Sequence, residues 1–430
     1  MAVIEKGERL GPSFLQLLKD TNPAGVGTGL VATLFSTLGP GVIVLTSAKT
    51  GGLTDGQAVS WLLALYSFGG LATMFVSLRY RIPLVIAYSI PGAVLLAKLL
   101  PNFTLSEATG AYIVVGLVTL ILTVTGLIKK VVDRIPVPIM LGMVGGVLFS
   151  FGIGLFKASI EQPQIYGIMM LVFFGTMAFK KFAARIPPII VAIVVGVVLL
   201  LVYGQVKAVP LSFEIAKPEF VWPTFSLRAI IDISVPLFFL VIGVQNIQAV
   251  GVLIAENYTP PINAMYFIPS IGAFYNASIG GHCAVTAGPS TAICSSPAAH
   301  EKHELRYVAA FYEGVFWFCF ALLAKAAVDS VNMVPKEFTA VLAGIAMFDV
   351  FSTAFRGAFS GKFRYGALVA FFISVTNLSI LNVGAPLWAI IFGVIISLAL
   401  ERDDFKKTNN ANNATQPAPG TAPDAAPANP

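Results

Sequence analysis

Charge is what this chain has least of. Asp, Glu, Lys and Arg make up 11% of its 430 residues, against about 25% in an ordinary soluble domain, and that shortage excludes a water-soluble globule. Cysteine is nearly as scarce. Cys283, Cys294 and Cys319 are an odd number without paired, metal-type spacing, and all fall in or beside apolar runs, so they read as small buried hydrophobes. Nucleophile elbows, phosphate-binding glycine loops and zinc-type His/Cys spacings are missing as well, so no enzyme, catalytic residue, cofactor or metal site is expected. The first 25 residues alternate charged and apolar positions and lack a continuous apolar core with a small-residue cleavage site. They read as a cytoplasmic N-terminus and not as a cleavable signal peptide.

What the chain has in abundance is apolar length. Hydrophobic residues make up 57%, the mean hydropathy is +0.84, and charges gather in short breaks between long runs, so lipid is the expected solvent. A net charge of +6 would suit nucleic acid, but basic residues confined to such breaks are what membrane topology demands. Fourteen apolar segments can be read between residues 26 and 400, each long enough to cross the hydrocarbon or interrupted by Gly and Pro. With the N-terminus inside, 19 of the 27 Lys and Arg fall on the inner side, which puts both termini in the cytoplasm. Residues 129–136 and 180–187 share a Lys-Lys-x-x-x-Arg-Ile-Pro pattern, read as inner anchoring followed by a helix start. Residues 407–430, rich in Asn, Ala and Pro, read as a disordered cytoplasmic tail. The acceptor motif at Asn413 is a chance match on this topology.

Two of the segments stand apart. Pro83 to Gly92 and His282 to Thr291 are each a short, partly β-branched run followed by Pro at a helix start. Pro91 and Pro289 lie 198 residues apart, close to the offset between the first spans of the two halves. The fold class expected is therefore an all-α polytopic membrane protein of fourteen spans, built as seven-plus-seven inverted repeats, with extended stretches and half-helices in spans 3 and 10. Paired interrupted segments of this kind mark a transporter's binding site. Two helix N-termini meeting near mid-membrane offer unpaired N–H groups and roughly half a positive charge each, which favours an anion. Ser89, Ser290, Thr286 and Thr291 would add hydroxyls at the same level.

The stretch Tyr80-Arg-Ile-Pro-Leu-Val-Ile-Ala-Tyr-Ser-Ile-Pro-Gly-Ala-Val-Leu-Leu96, the Gln245-Asn246 pair, Gly280-Gly-His282, and Cys294-Ser-Ser-Pro-Ala-Ala-His300 followed by Arg306-Tyr307 resemble the BenE family of benzoate/proton symporters, over residues 15–400. Such proteins look like distant relatives of uracil transporters and sulfate permeases. The resemblance implies a core domain at 26–128 and 229–328 (spans 1–4 and 8–11) and a gate domain at 139–204 and 338–400 (spans 5–7 and 12–14). One departure touches the pocket: Val285 and the Thr-Ala-Gly-Pro-Ser-Thr run replace the Asn and the apolar Ala-Ala-Ile-Thr run usual in benzoate-type members.

Together these readings imply a secondary transporter importing an aromatic carboxylate with a proton, in a bacterial inner membrane, by alternating access. The expected substrate-binding residues are Tyr88, Ser89, Ile90, Gly92, Gln245, Asn246, Thr286, Gly288, Ser290 and Thr291. Proton-coupling candidates are His282, Glu313, Asp232 and Asp349, since ionisable groups inside spans default to function. His300 and His303, beside Glu301 and Glu304, read as a solvated charge cluster. The partners are a small organic anion, protons and lipid, with no nucleic acid; a homodimer is compatible with the fold. The competing readings are a proton symporter of a nucleobase or other heterocycle, and an inorganic-anion exchanger or channel of the same fold.

Overall fold

The protein is described from a computed structural model covering residues 4–128, 136–179, 188–376, 379–380 and 383–405. It is mostly helical, because in lipid the helix satisfies every backbone N–H and C=O within its own segment. Among the described residues, five helical stretches are long and apolar enough to cross a bilayer: Pro23–Thr50, Asp55–Tyr80, Leu105–Val124, Val137–Glu161 and His303–Leu322. Shorter apolar helices complete the fold.

The first half runs α1 (Leu10–Asp20), α2 (Pro23–Ser36), α3 (Val42–Thr50), α4 (Asp55–Tyr80), β1 (Ile86–Tyr88), α5 (Ile90–Leu99), α6 (Leu105–Val124), α7 (Val137–Glu161), α8 (Ile168–Ala178) and α9 (Pro188–Val202). The second runs α10 (Val235–Leu240), α11 (Asn246–Ala255), α12 (Ile262–Ser278), β2 (Ala284–Thr286), α13 (Gly288–Ser295), α14 (Tyr307–Leu322), α15 (Ala324–Asn332), α16 (Lys336–Phe359), α17 (Arg364–Thr376) and α18 (Ala385–Leu400), with a two-residue hairpin, β3 (Ser379–Ile380) and β4 (Val383–Gly384), before the last helix. Helix starts follow local chemistry. Thr54 with Gln57 and Thr104 with Glu107 form capping boxes at α4 and α6, each satisfying two orphan N–H groups.

Packing joins α4 to α14, α6 to α12 and α2 to α14, while α7 packs on α16 and α17. The α4–α14 contact is close because glycines face each other. A Cβ added at Gly70 would meet the Gly314 carbonyl at 2.6 Å, and one at Gly314 would meet the Gly70 carbonyl at 2.7 Å. Small residues of this kind let membrane helices gain dispersion contact where the hydrophobic effect gives none.

A strap of residues 205–226 links the halves across one end of the molecule. Its N–H groups reach helix ends in turn: Lys207 to Met333, Ala216 to Leu322, Val221 to Ser278 and Thr224 to Ser106. Glu219 N–H is accepted by the Ser60 hydroxyl at 2.8 Å. At the N-terminus the Glu5 carboxylate accepts the N–H groups of Asn263 and Ala264. Asp20 accepts from Arg81 at 2.6 Å and from Tyr307 at 2.8 Å.

Several expectations are corrected. The first span begins at Pro23, three residues before the sequence suggests, because Asn22 caps it and Pro suits the first helical position. It also passes through a π-helical turn, Thr37–Gly41, where Pro40 interrupts the ladder. Cys319 is exposed while Cys283 and Cys294 are buried; a thiol on an outward helix face meets lipid as readily as protein. The His300–His303 loop is not simply solvated. His303 stacks on Tyr258 with ring centroids 3.8 Å apart, and Arg306 is buried, donating to Glu256 and to the Ser295 carbonyl. The residue 129–135 and 180–187 motifs, the tail from 406 including Asn413, and the Asp349 side chain lie outside the described residues.

Candidate functional site

The two interrupted segments meet. β1 and β2 pair antiparallel with Ile86 opposite Thr286 and Tyr88 opposite Ala284. The helices that follow start at this crossing and run away from it in opposite directions, so both N-termini border one place. Each strand is flanked by backbone bonds that lock it: Ser89 N–H to the Cys283 carbonyl, and Ala287 N–H to the Val85 carbonyl.

Against this crossing lies a cavity of about 310 Å³, at the small end of the ~300–1,000 Å³ typical of small-molecule sites. Tyr88, Ile90 and Pro91 wall it from one strand and half-helix, and Thr286, Gly288, Pro289 and Ser290 from the other. Gln245 and Gln248 reach it from the neighbouring helix, and Phe35, Ser36 and Trp317 close one side. Val137, Leu141 and Val144 of α7 and Thr353 and Ala354 of α16 close another. The cavity therefore sits between two helix sets, with mostly apolar and aromatic walls and few polar groups.

The two helix N-termini are not equivalent. Ser89 caps α5, its hydroxyl accepting the Gly92 N–H at 2.9 Å. At α13 the capping position is Ala287, which has no side-chain acceptor. The first N–H groups of α13, at Gly288 and Ser290, have no intrahelical partner by construction, so this end presents donors and the positive end of the helix dipole to the cavity. Gln245 ends a π-helical turn, Val241–Gln245, and its Oε1 is buried without a hydrogen-bond partner. Among the described ion pairs none involves a cavity-lining residue, so an anion here would be held by dipoles and neutral donors.

Of the residues predicted from sequence to bind substrate, Tyr88, Ile90, Gln245, Thr286, Gly288 and Ser290 line the cavity, and Ser89, Gly92, Asn246 and Thr291 stand behind its wall. The second group holds the frame. Asn246 Oδ1 accepts both the Thr286 N–H at 2.9 Å and the Thr286 hydroxyl at 2.7 Å, and the Thr291 hydroxyl accepts the Val85 N–H at 3.2 Å. Tyr88 is tethered too: its hydroxyl lies 2.7 Å from that of Tyr66, which donates to the Ser36 carbonyl at 2.9 Å.

His282 is fully buried and both ring nitrogens are engaged. Trp61 Nε1–H donates to Nδ1 at 2.8 Å, and Nε2 lies 2.7 Å from the Ser89 carbonyl. An indole only donates and a carbonyl only accepts, so the ring is the neutral Nε2–H tautomer. Asp232 is buried beside Arg228, 3.9 Å away. Glu313 is buried with Cys294 Sγ 3.2 Å from its Oε2.

Sequence reasoning missed Gln248, Trp317 and Thr353. Gln248 had a signal, because it stands three residues after Gln245 and so on the same helix face. Trp317 and Thr353 had none, since only the tertiary fold brings α14 and α16 to the crossing.

Half-helices starting from a strand crossing, over a cavity between two sets of apolar helices, define a membrane transporter rather than an enzyme. Solved structures agree on the fold. The transmembrane domain of the cyanobacterial bicarbonate transporter BicA matches with a TM-score of 0.56 and 15% identity, covering 86% of this chain and 97% of that one. SLC26A9 matches at 0.56 and 13%, over 89% of this chain and 65% of that one. The murine Slc26a9 anion transporter in its inward-facing state gives 0.55 and 14%, over 90% and 70%.

The chain belongs to the BenE family, benzoate membrane transport protein, whose model matches residues 19–399. It is 29% identical to the benzoate membrane transport protein of Acinetobacter baylyi, over 89% of this chain and 97% of that protein. It is 27% identical to the inner membrane protein YdcO of Escherichia coli, over 89% and 98%.

Proposed function

We propose that this transporter carries benzoate or a similar aromatic carboxylate into the cell together with a proton, by alternating access. The observation that carries the reading is the uncapped α13 N-terminus facing an apolar, aromatic-walled cavity. N–H donors without a paired cation suit a carboxylate, and Phe35, Trp317, Leu141 and Val144 suit a ring. The name of the A. baylyi relative points the same way. The carboxylate would be held by the Gly288 and Ser290 N–H groups, the Ser290 hydroxyl and Gln245, with Tyr88, Ile90 and Thr286 shaping the wall and Ser89, Gly92, Asn246 and Thr291 keeping the two half-helices in place.

Proton coupling follows from energetics. Carrying one anion into a negative interior costs about 2.3 kcal/mol per 100 mV, and a co-transported proton cancels that charge. His282, Glu313, Asp232 and Asp349 are the candidates for that proton.

The architecture we infer is fourteen spans in two inverted halves, with the core at 26–128 and 229–328 and the gate at 139–204 and 338–400. The matched strand and half-helix pairs support it. So does the exchange of packing partners, α4 with α14 and α6 with α12, which an inverted repeat would produce. The setting is a bacterial inner membrane with both termini cytoplasmic; a gate-to-gate homodimer fits the same scheme.

The likeness to BicA and to the murine anion transporter favours a second reading, an inorganic-anion exchanger or channel. A largely apolar cavity wall speaks against it. Competition decides: in proteoliposomes preloaded with benzoate, entry of labelled benzoate should fall with unlabelled benzoate and stay unchanged with bicarbonate, chloride, sulfate, uracil or xanthine. Block by an inorganic anion alone would replace the first reading with the second.

A further inference from the structure

Among the described residues, Glu313 is a carboxyl group without an ion-pair partner. It is 0% exposed. Its Oε2 accepts from the Cys294 thiol at 3.2 Å, and its Oε1 has no hydrogen-bond partner. The Ser290 hydroxyl faces the same carboxyl, and Ser290 lines the cavity.

Among the described residues no cation pairs with it. The titratable groups facing it are Cys294 of α13, Tyr66 of α4 and Tyr88 at the end of β1, while α2 presents Gly29, whose added Cβ would meet Glu313 N at 2.9 Å. The ion pairs of the described residues all lie elsewhere. A bare carboxylate in such a place is costly.

We propose that Glu313 is the proton-carrying residue of the transport cycle, exchanging its proton with the cavity past Ser290. The assignment rests on the proton-coupled reading above. Its logic is electrostatic. An anion at the N-terminus of α13 and an ionised Glu313 behind the same half-helix repel each other in a medium that screens little. The anion therefore binds best to the carrier with Glu313 protonated, and by linkage its binding strengthens the hold on that proton. One proton and one anion cross together, the proton leaving Glu313 for water on the inner side after the anion has gone. His282 is the weaker choice, because protonating Nδ1 would break its bond from Trp61. Asp232 already has Arg228 beside it.

The test compares wild type, Glu313→Gln and Glu313→Asp in proteoliposomes, with benzoate as the probe. Wild-type affinity should fall about tenfold per pH unit on the alkaline side, the slope of one linked proton. Glu313→Gln should bind with a pH-independent affinity, exchange benzoate across the membrane, and fail to accumulate it against a proton gradient. Glu313→Asp, a shorter acid further from Cys294, should restore accumulation with a displaced pH profile. Protonophore-sensitive accumulation by Glu313→Gln overturns the assignment, as does an unmoved pH profile in Glu313→Asp should Glu313→Gln not fold. Absence of benzoate binding and exchange in wild type fails the symport reading itself, a different result.

Discussion

Gln245 and Ser290 are polar residues of the cavity wall, Ser290 standing in the first turn of α13. Each would give a bound carboxylate one charge-assisted hydrogen bond of about 1.5–3 kcal/mol, so Gln245→Ala and Ser290→Ala should each weaken benzoate binding by about 10- to 100-fold. Isothermal titration of the purified variants reads this directly; wild-type affinity in both would mean that the carboxylate sits elsewhere. Gly288→Ala acts by shape. Its new Cβ would meet Gln248 Cγ at 2.8 Å and push that flexible side chain toward the ligand, so the apparent KM should rise with little change in melting temperature. His282 calls for the opposite signature. Trp61→Phe leaves Nδ1 buried and unpaired, at a cost of about 1–3 kcal/mol, so thermal stability in detergent should drop while the pH profile of uptake keeps its shape.

At the scale of elements, the half-helices were legible in sequence because proline marks them. Pro91 and Pro289 each stand second in a helix, after an extended run. Pairing of β1 with β2 was not legible, since three-residue strands 198 positions apart carry no local sign of each other. Nor were the π-helical turns at Thr37–Gly41 and Val241–Gln245, although Pro40 explains the first. Polar residues beside the site divided for a reason sequence cannot supply: Asn246 and Gln245 are neighbours, yet a step of about 100° per residue turns one to the strand and the other to the cavity. Asn246→Ala would strand two Thr286 donors, so a loss of about 2 kcal/mol in stability is expected, read by thermal unfolding.

The strap illustrates pH at the same scale. Burial pushes the Asp329 carboxyl up, but the Lys325 ammonium and the Ser212 N–H outweigh it and hold the group below the usual carboxylate range. A carboxylate held low stabilises the fold above its unfolded pKa, and that contribution is lost as pH falls through the folded value. Asp329→Asn should therefore lower the hydrogen-exchange protection of residues 205–226 at neutral pH. Unchanged exchange would show that the backbone bonds hold the strap alone.

For the whole molecule, composition and charge placement were enough to identify a membrane protein, and the two proline-marked segments pointed to the place where they meet. What only the fold gives is the seam. The cavity draws one wall from the crossing and the other from α7 and α16, an arrangement that suits the alternating access proposed above. A site built on helix dipoles moves with its half-helices as a unit, which fits transport by such a motion better than a site assembled from loops.

Uptake of labelled benzoate by proteoliposomes holding the purified protein, acid outside, tests the central claim most directly. Protein-free liposomes run alongside, because benzoic acid itself crosses lipid. The claim predicts protein-dependent accumulation that unlabelled benzoate suppresses and a protonophore abolishes. Folded protein that gives no uptake above the protein-free control, or uptake indifferent to the protonophore, would contradict it.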